Sequence, residues 1–94
     1  MRLKYRILWF EDEAEFVEKI TPQIREYLLE DLGLELEVNP QQNGADLDNL
    51  IKHGDYDLIV TDLNLDDGQT GKNLIDRIRG DEVLTEVLLY SGNG

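Results

Sequence analysis

The sequence predicts an α/β fold in which one parallel sheet has helices on both of its faces. Short apolar runs alternate with longer stretches of helical apolar spacing along the chain. This alternation favours parallel strands joined by right-handed crossovers, and such strands are normally covered on both faces. Because 94 residues suit a single core, we expect one doubly wound domain over residues 1–94.

The first strand and the first helix have the clearest patterns. Residues 5–10 form a short run with almost no polar alternation, which is typical of a strand buried on both faces. Residues 13–32 follow with apolar side chains at helical spacing, and Asp12 is expected in the N-cap region. Pro22 lies inside this pattern and predicts a kinked or split helix, while Gly33 predicts its end.

A half-exposed strand and a short helix are expected next. Residues 34–38 alternate between apolar and polar side chains, which suits the edge of a sheet, and Pro40 is expected to close the strand. Residues 45–52 have the spacing of a short helix that ends at Gly54. The remaining pattern predicts a buried strand at 58–61, a polar loop at 63–70, a helix at about 72–79 and a strand at 87–90.

Oxygen-bearing side chains follow three of the predicted strands. Glu11 and Asp12 follow the first strand, Asp62 ends the third, and Ser91 follows the fourth. The carboxyl ends of parallel strands share one edge of the sheet, where ligands of α/β proteins bind. We therefore expect these side chains to lie at one edge.

Carboxylates at adjacent strand ends repel one another unless a cation or a proton intervenes. The sequence has no cysteine, so the expected ligands are hard oxygens that suit Mg²⁺, Mn²⁺ or Ca²⁺. Asp62 beside such a metal could attack phosphorus, with Ser91 and the Gly92 turn holding phosphate oxygens. Ordinary structural roles stay open, because Glu11 and Asp12 could be helix caps and Asp62 a turn residue.

The charge of the chain limits its partners. Its formal net charge is −12, which opposes direct binding to nucleic acid or to an anionic membrane. The apolar run near the N-terminus is short and ends in acidic residues, so it is neither a signal peptide nor a membrane span. The absence of cysteine fits a cytoplasmic protein, which we expect here.

These motifs together resemble a response-regulator receiver domain. They are the acidic pair Glu11-Asp12, the strand Tyr-Asp-Leu-Ile-Val-Thr-Asp that ends at Asp62, and Ser91-Gly92 after the fourth strand. The order of the motifs matches over essentially all 94 residues. The resemblance implies a flavodoxin-like sandwich with five parallel strands in the order 2-1-3-4-5, and a signalling domain that catalyses only its own phosphorylation and dephosphorylation.

The resemblance also implies roles for single residues. Asp62 would accept a phosphoryl group from a histidine kinase or a phosphotransfer protein, with Mg²⁺ as the cofactor. Mg²⁺ would be held by Asp12 and Asp62, by Glu11 directly or through water, and by the backbone carbonyl of Asn64. Ser91 would be the switch hydroxyl, and the side chains of Asn64 and Asn93 would tune the rate of dephosphorylation.

The sequence departs from the family pattern at several points. Glu11 is one methylene longer than the commoner aspartate, and the loop after Asp62 has no proline but has the extra acids Asp66 and Asp67. The pattern stops before a fourth helix, a fifth strand with its phosphate-contacting lysine, and a fifth helix. We therefore expect an incomplete receiver domain from a longer regulator, with an open strand edge, a partly bare sheet face and a tendency to form homodimers.

Two other functions stay open. A pseudo-receiver would keep the fold as a protein-interaction module without phosphorylation, which Glu11 and the missing lysine favour. A magnesium-dependent phosphotransferase or nuclease of another α/β family would bind Mg²⁺ with a strand-end Glu and an Asp-x-Asp pair, but Asn64 occupies the second position of that pair here.

Overall fold

One parallel sheet organises the part of the chain that the structure describes. A computed structural model describes residues 3–63, 71–80 and 85–90. The strands lie in the order β2-β1-β3-β4, and all of their pairings are parallel. The element bounds are β1 Lys4–Phe10, α1 Ala14–Leu32, β2 Glu35–Gln41, α2 Leu47–His53, β3 Leu58–Asp62, α3 Gly71–Gly80 and β4 Glu86–Tyr90. The predicted α/β class and the order 2-1-3-4 are confirmed.

The two central strands bury side chains on both faces of the sheet. On one face, Leu8 and Phe10 of β1 and Ile59 of β3 pack against α2 and α3. On the other face, Ile7 and Trp9 pack against α1. This two-sided burial explains why β1 has almost no polar alternation in sequence, and it fixes the ends of β1 and β3 relative to each other.

Helix α1 is continuous through Pro22, so the predicted split is wrong. Pro22 is exposed, and water can therefore bind the backbone carbonyl that a proline leaves without its N–H partner. The N-cap residue is Glu13, which makes no side-chain capping hydrogen bond, and Asp12 directly precedes it, in the region where the sequence placed it. No helix in the described ranges is both long enough and apolar enough to cross a membrane.

Strand β2 is an edge strand, as predicted, but it continues past Pro40. It pairs only with β1 among the described strands, and Pro40 lies in register with Trp9. A proline lacks an N–H donor, and an edge strand tolerates this because one side of its backbone needs no ladder partner. The strand ends one residue later, at Gln41. The carbonyl of Gln41 accepts a hydrogen bond from the Glu11 N–H at 2.8 Å.

The opposite edge is more open. Among the described strands, β4 pairs only with β3, and its Leu88 and Leu89 side chains are exposed. An apolar groove of about 500 Å³ lies on the α1 face of the sheet, with Leu88 and Tyr90 in its lining. The expected open edge and partly bare face are therefore present in the described residues. That the domain is incomplete stays a prediction.

The end of α1 depends on the backbone conformation of Gly33. This residue has a φ of 68°, in the left-handed region that favours glycine. Its N–H donates to the carbonyl of Leu29 at 3.2 Å, and the N–H of Leu34 donates to the carbonyl of Leu28 at 3.0 Å. These bonds satisfy carbonyls of the last helical turn and direct the chain into β2.

We expect Gly33→Ala to lower the free energy of unfolding by about 1 kcal/mol, because a Cβ is disfavoured in the left-handed region. Urea denaturation followed by circular dichroism measures this change. Gly80→Ala is the matched control, since Gly80 ends α3 without a left-handed φ and a Cβ there would meet no atom of the described residues within 4 Å. Equal midpoints for both variants would contradict this explanation of the helix end.

Candidate metal centre

Three carboxylates meet at the carboxyl edge of the sheet. Glu11 directly follows β1, Asp12 comes next, and Asp62 is the last residue of adjacent β3. Phe10 and Thr61 are in register, so the residues after them lie at the same level. One carboxylate oxygen from each of the three residues lies within 4.8 Å of the others. The structure thus brings together the acidic residues that the sequence placed at one edge.

The carboxylate of Glu11 is buried and is held by two hydrogen bonds. Glu11 is 4% exposed and Asp62 is 6% exposed, whereas Asp12 is partly exposed. The Glu13 N–H donates to Oε2 of Glu11 at 2.9 Å, and the Tyr90 hydroxyl donates to Oε1. Glu11 therefore organises the start of α1 through its side chain, although it lies two residues before the N-cap residue.

Burial raises the pKa of Glu11 above its ordinary value of 4.5, and it is the largest influence on this group. A hydrogen bond with Asp12 and the negative charge of Asp62 also raise the pKa of Glu11. The hydrogen bonds from Tyr90 and Glu13 act in the opposite direction, because they stabilise the ionised carboxylate. A buried carboxylate beside other carboxylates is a group that a cation would stabilise.

Tyr90 belongs to this site, and its contact with Glu11 was not predicted from the sequence. Its hydroxyl accepts a hydrogen bond from Nε1 of Trp9 at 3.0 Å and donates to Glu11. Burial and the neighbouring Glu11 carboxylate raise the pKa of Tyr90, so its hydroxyl keeps its proton at neutral pH. The signal available in the sequence was its position at the end of a strand, next to Ser91.

The donor chemistry of the three carboxylates fits Mg²⁺. Mg²⁺ prefers oxygen ligands at about 2.1 Å, so two oxygens on opposite sides of the ion lie about 4.2 Å apart. One carboxylate oxygen from each of Glu11, Asp12 and Asp62 lies within 4.8 Å of the others, which is close to that span. Mg²⁺ usually keeps several water ligands and takes one or two carboxylates directly, which a cluster with one partly exposed member allows. Glu11, Asp12 and Asp62 are therefore suited to hold it.

Four other predicted site residues lie outside the described residues. These are Asn64, Ser91, Gly92 and Asn93. The chain beside them is anchored, because the N–H of Leu63 donates to the carbonyl of Tyr90 at 2.7 Å. Leu63 and Tyr90, the last described residues before these positions, therefore lie side by side.

The sequence matches no protein-family model, and the search of curated proteins found no match. The structure, in contrast, is similar to receiver domains of response regulators. It superposes on a signal receiver domain from Vibrio parahaemolyticus, in a protein described as a Luxo repressor, with a TM-score of 0.72 and 23% identity over 98% of this chain. It matches the MaeR response regulator bound to beryllium trifluoride with a TM-score of 0.69 and 21% identity over 96% of this chain.

A third similar structure is the non-phosphorylated HemR receiver domain from Leptospira biflexa, with a TM-score of 0.59 and 20% identity over 96% of this chain. The present chain spans 65%, 69% and 83% of these three chains, in the order given. At such identities the likeness establishes the fold. The chain therefore has the flavodoxin-like fold of receiver domains, as the sequence predicted.

Asp62→Asn removes one of three clustered negative charges. In buffer with a chelator, we expect this variant to raise the free energy of unfolding by on the order of 1 kcal/mol, because it relieves repulsion with Glu11. We expect added Mg²⁺ to stabilise the native protein more than the variant. Urea denaturation with and without Mg²⁺ measures both effects. Asp55→Asn is the control, since it makes the same chemical change at an exposed residue outside the cluster.

Stability should also depend on pH through Glu11. The raised pKa of Glu11 means that the folded protein retains this proton at a pH where the unfolded chain has lost it. The contribution of Glu11 to the free energy of unfolding is therefore fully present below about pH 4.5. It is lost as the pH rises through the raised pKa of the folded protein. In chelator, the stability of Glu11→Gln relative to the native protein should increase over that interval, in urea titrations at stepped pH. Glu35→Gln, at an exposed position of β2, should show no such trend.

Proposed function

We propose that this chain is the phosphoacceptor receiver domain of a two-component response regulator, and that Asp62 accepts the phosphoryl group in a magnesium-dependent reaction. The observation that supports this most is the carboxylate cluster at the carboxyl edge of a receiver fold. Asp62 ends β3, beside the acidic residues that follow β1. The proposed function needs a nucleophile and a cation-binding pair at that place.

The proposed step is a phosphoryl transfer to the Asp62 carboxylate. One oxygen of Asp62 attacks the phosphorus of a phosphohistidine, and a new P–O bond forms. The P–N bond breaks, and its electron pair remains on the imidazole nitrogen, which takes up a proton. The product is an acyl phosphate on Asp62 and a neutral histidine on the donor protein.

The acidic neighbours of Asp62 have a different task. Asp12 and Glu11 would hold Mg²⁺ together with Asp62, and Asp12 is the more accessible of the two neighbours. When bound, Mg²⁺ would neutralise negative charge on the transferring phosphoryl group. Without such a cation, the cluster would repel the incoming phosphate, since three carboxylates lie within 4.8 Å of one another.

The remaining site residues are assigned by their position in the sequence. We propose that the Asn64 carbonyl is a further metal ligand and that Ser91 and the Gly92 N–H bind phosphoryl oxygens. The side chains of Asn64 and Asn93 would tune dephosphorylation. The hydrogen bond from the Leu63 N–H to the Tyr90 carbonyl supports this arrangement, because it holds the residues just before Asn64 and Ser91 next to each other.

The proposed partner is a histidine kinase or a phosphotransfer protein in the cytoplasm. The formal net charge of −12 opposes direct contact with nucleic acid. A donor protein must bring a phosphohistidine to the carboxyl edge of the sheet. A basic surface around that histidine would match the charge of this chain.

A pseudo-receiver is the second candidate, and one observation favours it. Both oxygens of the Glu11 carboxylate accept hydrogen bonds within the protein, from Tyr90 and from Glu13. A side chain held in this way could complete a protein-interaction module that binds no metal. The two candidates differ in whether Asp62 becomes modified.

Phosphorylation can be tested with a small phosphodonor. We expect the protein incubated with Mg²⁺ and acetyl phosphate to gain the mass of one phosphoryl group, measured by intact mass spectrometry. The adduct should be lost on treatment with hydroxylamine, as an acyl phosphate is, and it should not form in excess chelator. Asp62→Asn should gain no mass, because its amide is not a nucleophile toward phosphorus.

Asp55→Asn is the matched control for the loss of one acidic group, and it should be labelled like the native protein. Labelling of Asp62→Asn to the same extent as the native protein would contradict the assignment of the phosphoacceptor. A folded native protein that forms no adduct in the presence of Mg²⁺ would favour the pseudo-receiver.

A further inference from the structure

Tyr90 contacts both the acidic cluster and the apolar face of the sheet. It is the last residue of β4 and lies in register with Asp62. Its hydroxyl donates to Glu11 and accepts from Nε1 of Trp9 at 3.0 Å. Since β3 lies between β4 and β1, the side chain of Tyr90 reaches across the central strand to make these contacts.

The hydroxyl of Tyr90 supplies one of two donors to a buried carboxylate. Glu11 is 4% exposed, and its other donor is the Glu13 N–H. A buried carboxylate is restricted to orientations in which its oxygens meet donors. The orientation seen here is also the one in which an oxygen of Glu11 lies within 4.8 Å of Asp12 and Asp62 oxygens.

The ring of Tyr90 packs against two other aromatic rings. It stacks on Phe16 of α1 at a centroid distance of 5.8 Å and an interplanar angle of 22°. It meets Trp9 edge to face at 6.5 Å and 86°. All three aromatic residues line the apolar groove on the α1 face. A displacement of the Tyr90 hydroxyl would therefore move a ring that contacts both α1 and β1.

We propose that Tyr90 is a positioning residue that holds Glu11 in the metal cluster and couples the cluster to the α1 face of the sheet. This inference rests on the proposed magnesium site. A cation at the cluster attracts the Glu11 carboxylate, and the hydroxyl bonded to it follows. Trp9 shares that hydroxyl, so the environment of the Trp9 indole changes when the cluster binds a cation.

The chain provides a direct probe of this coupling. Trp9 is its single tryptophan, so intrinsic emission reports on one indole whose N–H donates to Tyr90. Tyr90→Phe removes the hydroxyl and keeps the ring that packs on Phe16. Tyr56→Phe is the matched control, because the Tyr56 hydroxyl also accepts one side-chain hydrogen bond, from Asn39 at 2.7 Å, and packs with the core on the opposite face.

The experiment titrates Mg²⁺ into the native protein, Tyr90→Phe and Tyr56→Phe, and records binding by calorimetry and Trp9 emission. We expect Tyr90→Phe to bind Mg²⁺ about tenfold more weakly, the usual effect of removing a group that orients a metal ligand. Its Trp9 emission should no longer respond to the cation. Tyr56→Phe should match the native protein in both measurements.

Equal affinity and an equal emission response in native protein and Tyr90→Phe would overturn the inference while the proposed function stands. Absence of Mg²⁺ binding to the native protein would overturn both. Should Tyr90→Phe fail to fold, Glu11→Gln at an Mg²⁺ concentration that calorimetry shows to saturate it gives a second test, since the amide removes the charge that links the cation to Tyr90. Persistence of the full Trp9 response in Glu11→Gln would then contradict the coupling.

Discussion

The repulsion among three clustered carboxylates is the constraint on which the rest of this site depends. Glu11 and Asp62 are almost fully buried, so neither can lower its energy by exposure to water. The sheet forces them together, because β1 and β3 are adjacent and packed on both faces. The folded chain accommodates the charge with hydrogen bonds to Glu11 and a raised Glu11 pKa. Such a site is less stable than an apolar one would be, a cost typical of functional sites.

Much of the architecture could be predicted from the sequence because it follows from burial. A continuous apolar run such as 5–10 specifies a strand covered on both faces, and an alternating run such as 34–38 specifies an edge. The errors came from local signals at exposed positions. Pro22 and Pro40 are both exposed, where water can bind a backbone carbonyl that lacks its N–H partner. Tertiary packing therefore outweighed their usual effect on a helix and on a strand.

The acidic cluster was also predictable, since strand ends in a parallel sheet converge by geometry alone. The contact of Tyr90 with Glu11 was not. The two residues are 79 positions apart in sequence, and β3 lies between their strands. A hydrogen bond of this kind depends on the length of a tyrosine side chain and on the packing of its ring against Phe16. Neither quantity is visible in apolar periodicity.

The hydrogen-bonded chain from Trp9 through Tyr90 to Glu11 has a consequence for how such sequences diverge. Loss of the Tyr90 hydroxyl would remove a hydrogen-bond partner from two buried groups at once, the Trp9 N–H and the Glu11 carboxylate. A shorter aspartate in place of Glu11 would not reach the same hydroxyl, and the tyrosine would then have no carboxylate to bind. Among homologues of this chain, the residues at these three positions should therefore covary, with glutamate accompanied by tyrosine and tryptophan.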